Sequence, residues 1–169
     1  DFWGLSQRCE ELRKNNKEKA ALWAIHGYYK DEAQAIGKIY ELDPKSEHLN
    51  YLLTRLVNNQ EQAINNSFEV KTNVDDYNSP TFKQTVTENR EANKAKMNAK
   101  AFDLVSKIAA EGNTEKPYLW DISLGYLQTL KGDYAAADTN LNKAEKTMPK
   151  TELANYQLRL LRFVNNMSK

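Results

Sequence analysis

Apolar residues recur along this chain in steps of three and four, the spacing that places one stripe on one side of an α-helix. The first stripe is Leu5, Cys9 and Leu12, with Ser6 as N-cap and Asn15-Asn16 closing it. A dense apolar run, Ala20 to Ile25, stops near Gly27. Asp31 with Gln34 three residues on forms a capping-box pattern, and the helix it opens carries Ala33, Ile36 and Tyr40 until Asp43-Pro44 ends it. Ser46 then caps a cleaner stripe, Leu49, Leu52, Leu53, Leu56 and Val57. Ser79-Pro80 is a helix start, because proline lacks only an N–H that the first turn leaves unpaired. Gly112 and Gly132 mark C-termini, Pro117, Asp133 and Thr151 mark starts, and Pro149 marks a stop.

These signals predict helices over 5–14, 18–28, 32–42, 47–64, 80–111, 117–131, 134–147 and 152–165. The segment Thr87–Lys96 is almost wholly polar, so the helix over 80–111 is either exposed there or broken in two. Leu153, Tyr156, Leu160, Leu161 and Val164 form the expected apolar side of the last helix. Residues near 65–79, rich in Asn, Asp, Ser and Thr, read as an irregular polar connection.

Two blocks of sequence repeat. Residues 44–53, Pro-Lys-Ser-Glu-His-Leu-Asn-Tyr-Leu-Leu, return at 149–158 as Pro-Lys-Thr-Glu-Leu-Ala-Asn-Tyr-Gln-Leu, with six identities. Leu22-Trp23-Ala24-Ile25-His26-Gly27-Tyr28 returns, with a one-residue gap, as Leu119 to Tyr126. The offset of about 105 residues is close to three units of about 34, the period of a helix–turn–helix repeat.

Residues 118–149 resemble one tetratricopeptide repeat. Leu124-Gly125 stands at the Leu-Gly pair of the motif's first helix, and Gly132-Asp133-Tyr134 at its turn. Ala137, Leu141 and Ala144 give the small–large–small spacing of its second helix, and Pro149 its closing proline. Trp120 sits one place early for the motif's aromatic, Gln128 replaces its usual tyrosine, and Tyr40 to Pro44 is a weaker match to the repeat's ending. The resemblance implies an all-α fold of stacked antiparallel helix pairs in a single domain over 1–169, winding as a superhelix. A glycine in mid-helix costs about 1 kcal/mol against alanine. Gly125 is therefore expected to admit a close neighbour, Ala137 or Ala144.

Composition narrows the function classes. A net charge of +1 gives no field that favours nucleic acid or an anionic membrane. The basic residues Arg8, Arg13, Lys14, Lys17 and Lys19 alternate with glutamates, as on a solvated helix face. No apolar run reaches the ~18 residues of a membrane span, so no direct membrane insertion is expected. The lone Cys9 excludes an internal disulfide and leaves the compartment open. The opening Asp1-Phe2-Trp3 fits a processed protein or a piece of a longer one.

Motif chemistry is sparse. His26 and His48 fall on separate helices without a paired ligand, and no nucleophile elbow, zinc motif, phosphate loop or calcium loop is present. Neither catalysis, cofactor nor metal is expected, although a glycosidase-type carboxylate pair leaves no sequence signature. Three Trp and nine Tyr suit protein interfaces and sugar stacking alike. The first expectation is a non-catalytic scaffold that binds a protein or peptide segment. The second is a ligand- or glycan-binding module of a larger extracytoplasmic, bacterial-type envelope protein.

The helix over 117–131 carries two stripes. Trp120, Leu124 and Leu127 are assigned to the core, and Ile122, Tyr126 and Leu130 lie on another face. The repeat resemblance implies that Ile122, Tyr126 and Thr129 line a concave groove, with Tyr156 of the next first-type helix beside them; with Leu130 of the stripe they make the candidate binding surface. The competing expectation is that another helix of this same chain, for instance one from 80–111, covers this stripe and that it has no ligand role.

Overall fold

The computed structural model describes residues 15–65 and 79–169. The helix expected over 5–14, with Cys9 and the basic cluster's first members, and the connection between 65 and 79 lie outside the described residues. Among the described residues every regular element is a helix. The helices are α1 Asn16–Tyr29, α2 Glu32–Leu42, α3 His48–Asn65, α4 Pro80–Lys94, α5 Ala99–Glu111, α6 Pro117–Lys131, α7 Tyr134–Thr147 and α8 Glu152–Met167.

Side-chain caps set most of the starts. The Asp31 carboxylate accepts the Gln34 N–H at 2.9 Å, and the Asn15 amide oxygen accepts the Glu18 N–H at 2.9 Å. Ser79, Asp133 and Thr151 cap α4, α7 and α8 in the same way. Satisfying one orphan N–H per helix is worth about 1 kcal/mol each. Two of the ends need glycine, since Gly112 and Gly132 have φ of 62° and 90°. Ser46 acts through its backbone: its carbonyl accepts the Leu49 N–H at the start of α3.

The stretch 80–111 is two helices, not one. Asn98 caps α5 with its side chain at 3.2 Å from the Ala101 N–H. Its own N–H donates to Gln60 of α3 at 2.7 Å. A polar partner from a distant helix thus takes up a backbone group that a continuous helix would have paired internally.

The helices pack in two rows. In one row α1, α3, α6 and α8 are successive neighbours. In the other α2, α5 and α7 follow one another, tied by Tyr40 to Glu111 at 2.6 Å and by Lys143 to the Ala109 carbonyl at 2.9 Å. Consecutive helices cross between the rows in tight pairs, α1 on α2 and α6 on α7, while α4 lies against α3. The main core runs between the rows, with Trp23, Ile36, Leu52, Leu56, Val105 and Trp120 buried in one cluster. A smaller cluster of Leu141, Met148 and Leu158 joins α7 to α8.

Two mid-helix glycines, Gly27 and Gly125, sit where a neighbouring helix approaches, whereas Gly37 of α2 has open space beside it. A β-carbon on Gly125 would lie 3.0 Å from the Leu141 side chain and 3.3 Å from the Ala137 carbonyl. The nearest neighbour is thus the Leu141 side chain, with the Ala137 backbone next, and not Ala144. A β-carbon on Gly27 would lie 2.6 Å from that of Ala35 in α2.

The last helix departs from expectation. Leu158 and Asn165 are its buried residues, whereas Leu153, Tyr156 and Leu160 point outward. Leu161 is half-buried and packs on the smaller core cluster. The apolar residues of α8 therefore divide between two sides of the helix. No described helix is long and apolar enough to cross a membrane.

Candidate functional site

Helix α6 places its two stripes differently. Trp120, Leu124 and Leu127 are buried in the main core, as the sequence pattern implies. The second stripe faces α3, whose 18 residues run alongside α6. Ile122 is buried at 5 % exposure, and Tyr126 is half-buried. The Tyr126 phenol bonds to the Glu61 carboxylate of α3; burial first, then that carboxylate, push its ionisation far above the usual range. At Ile122 and Tyr126 a helix of the same chain does lie against the stripe, as the competing expectation has it, and that helix is α3.

A cleft of about 200 Å³ opens where α3, α6 and α8 converge. Val57, Ile122 and Leu161 supply its apolar surface, and Thr54, Asn58, Ser123, Tyr126 and Gln157 its polar groups. Those hydroxyls and amides both donate and accept hydrogen bonds and carry no charge. Such a lining matches neutral groups that do the same, peptide amides above all.

The expected groove residues are only partly brought together. Ile122 and Tyr126 line the cleft. Thr129 is buried, its hydroxyl donating to Gly125 and Asn165 at 3.1 and 2.9 Å. Leu130 packs against the main core. Tyr156 is 59 % exposed on the outer side of α8, and its neighbour Gln157 reaches the cleft instead. Thr54, Asn58 and Gln157 were not singled out by the stripe. A signal for Gln157 does exist: in the repeated block it stands where the earlier copy has Leu52, a polar residue replacing a core leucine.

Two other surfaces carry shape. Ile25, Tyr28, Tyr29 and Tyr51 line a shallow depression of about 580 Å³ between α1 and α3, with His48 at its edge. Tyr28 stacks on Tyr51 with centroids 6.1 Å apart, and the Arg55 guanidinium lies 5.2 Å from the Tyr28 ring centre. Beside α8, Glu145, Glu152, Arg159 and Arg162 border an open polar hollow of about 540 Å³. There the Arg162 guanidinium holds the Glu145 carboxyl below its ordinary range. His26 is buried edge-on to Trp23 at 5.2 Å, a core position. Among the described residues no group of three or more His, Cys, Asp or Glu is placed to hold a metal ion.

No protein-family model, no curated protein and no solved structure matches this chain.

Proposed function

We propose that this chain is a non-catalytic scaffold of tetratricopeptide-like helix pairs that binds a protein or peptide segment in the α3/α6/α8 cleft. The observation that carries the reading is the convergence of three helices of one row on a cleft lined by neutral hydrogen-bonding groups. Two features support the repeat architecture. Gly27 and Gly125, which correspond in the repeated block, both admit the following helix at contact distance. The alternation of rows also sets every first-type helix, α1, α3, α6 and α8, beside the next. The polar lining then selects segments by their amides, and Ile122 and Leu161 bury a small apolar side chain between them.

The test is selection of binders from a random peptide library, followed by calorimetry. Ser123→Arg fills the cleft with a bulky charge and is expected to weaken selected peptides at least tenfold. Peptides whose affinity is untouched by Ser123→Arg would place binding elsewhere and remove the cleft from the proposal.

A second reading rests on the Tyr28, Tyr29 and Tyr51 cluster, whose exposed ring edges and faces suit a stacked sugar. It predicts that oligosaccharides shift the ring resonances of these tyrosines and leave those of the cleft unmoved.

A further inference from the structure

Helix α8 carries a second apolar stripe that nothing in the described chain covers. Leu153, Tyr156, Leu160, Phe163 and Met167 are 77, 59, 49, 62 and 73 % exposed. Their steps of three, four, three and four are those of a coiled-coil seam, and they run the length of the helix. The stripe lies opposite Leu158 and Asn165, the residues that hold α8 to the body.

Comparison with α3 shows that the stripe is not the face on which this stack grows. The block repeat aligns 44–53 with 149–158, and carried along both helices it matches the stripe to His48, Tyr51, Arg55, Asn58 and Gln62 of α3. That side of α3 is mostly polar and largely exposed, with Tyr51 and Arg55 reaching Tyr28 of α1 and Asn58 bordering the cleft at its edges. The side of α3 that meets α6 includes Thr54, Val57, Asn58 and Glu61. Its counterparts on α8 are Arg159, Arg162, Phe163 and Asn166, mostly polar. A further helix stacked in the same manner would meet two arginines and, of the apolar stripe, Phe163 alone, leaving Leu153, Tyr156, Leu160 and Met167 open.

We propose that α8 pairs two copies of this chain across that stripe. The five side chains expose on the order of 600 Å², so a two-fold contact covering both copies buries on the order of 1,200 Å², the lower edge of a specific interface. One patch meeting itself closes after two copies, which gives a dimer and not a filament. The antiparallel register fits best. It sets Leu160 against Phe163 and Tyr156 against Met167 of the second copy, and brings Arg159 beside Asn166, so no like charges meet. This contact is independent of the α3/α6/α8 cleft, which uses Gln157 and Leu161 on a different side of α8.

Light scattering on the eluting protein at about 100 µM tests it, a concentration well above the micromolar dissociation constants typical of small interfaces. The expected mass is twice the 19.5 kDa of the chain. Leu160→Asp with Phe163→Asp is expected to weaken association at least ~100-fold, with the helical circular dichroism of the parent, because both side chains already face water. Gln62→Asp, at the matching position of α3, is expected to leave the dimer intact. A single-chain mass for the parent overturns the proposal and gives the stripe to another occupant, a different protein or a further domain. So does a dimer that survives the double substitution.

Discussion

The amide oxygen of Asn165 accepts the hydroxyl of Thr129 at 2.9 Å, joining α8 to α6 inside the protein. The amide nitrogen of Asn165 donates to the Tyr134 carbonyl at 3.2 Å and to the Asp138 carboxylate at 2.7 Å, so one fully buried side chain ties three helices. Lys169 completes the group, and its ammonium is the main reason that the Asp138 carboxyl sits below its ordinary range. Asn165→Ala leaves buried polar atoms without partners and is expected to cost roughly 2–4 kcal/mol in urea unfolding. Asn165→Asp sets a carboxylate against Asp138 and is expected to cost more at neutral pH. Its deficit shrinks as pH falls, because a proton shared by the pair restores a hydrogen bond. A deficit for Asn165→Asp that grew on acidification would contradict this geometry.

Gly27 and Gly125 make unequal demands. At Gly27 the obstacle is the Ala35 β-carbon, fixed to the α2 backbone, at 2.6 Å. At Gly125 the nearest atoms, at 3.0 Å, belong to the Leu141 side chain, which can rotate. Alanine gains about 1 kcal/mol of helix propensity at either site. Gly27→Ala is therefore expected to be a net loss of about 1–2 kcal/mol and Gly125→Ala to be close to neutral. Gly125→Leu exceeds what Leu141 can yield and is expected to lose roughly 1–3 kcal/mol. Thermal melts of the three variants check the order, and a stabilised Gly27→Ala would refute the close approach.

The break between α4 and α5 depends on a residue far away in sequence. Gln60, buried in α3, accepts the Asn98 N–H at 2.7 Å. Gln60→Leu keeps the bulk and removes the acceptor, so a cost of about 1–2 kcal/mol is expected. Hydrogen exchange at the Asn98 amide should quicken in that variant. Unchanged protection there would show that Gln60 does not hold the break.

Helix ends were legible because they are written locally. Asp31, Pro80, Pro117, Gly132, Asp133 and Thr151 each act through geometry within a few residues, and the helices over 32–42, 117–131 and 134–147 begin and end where those signals stand. The division of 80–111 was half legible: the polar run Thr87–Lys96 marks a weak point, but the acceptor that fixes it comes from α3. Which helix faces Ile122 and Tyr126 is a long-range matter, since α3 reaches them across more than fifty residues of chain. The apolar residues of α8 misled for another reason. Leu153, Tyr156 and Leu160 keep helical spacing whether they turn inward or outward, and periodicity finds a stripe without saying what it meets. In the cleft Ile122 and Tyr126 were readable from the stripe, whereas Val57, Leu161, Thr54, Asn58 and Gln157 enter only through the packing of three helices.

The pair of Asp121 and Lys143 gives the sharpest dependence on pH. Asp121 is buried on α6, and the loss of water raises its carboxyl above the ordinary range despite the Lys143 ammonium at 2.8 Å, which pulls the other way. A carboxyl raised on folding favours the folded state when protonated, and that contribution is lost as pH rises through its folded value. At neutral pH the charge on Asp121 is tolerated because Lys143 bonds it and the Ala109 carbonyl together. Lys143→Met leaves the carboxylate buried without its cation. The lysine is half exposed, so the expected cost at about pH 7 is roughly 2–3 kcal/mol, below that of a fully buried pair. At about pH 4.5 the variant's Asp121, raised further without its partner, takes up a proton more readily than at neutrality, and the deficit should narrow. Adding Asp121→Asn to Lys143→Met removes the charge at every pH and should recover most of the loss at neutrality. Urea midpoints of parent, single and double variants at the two pH values measure this. A deficit equal at both would show that the ammonium contributes packing alone and that Asp121 carries no buried charge.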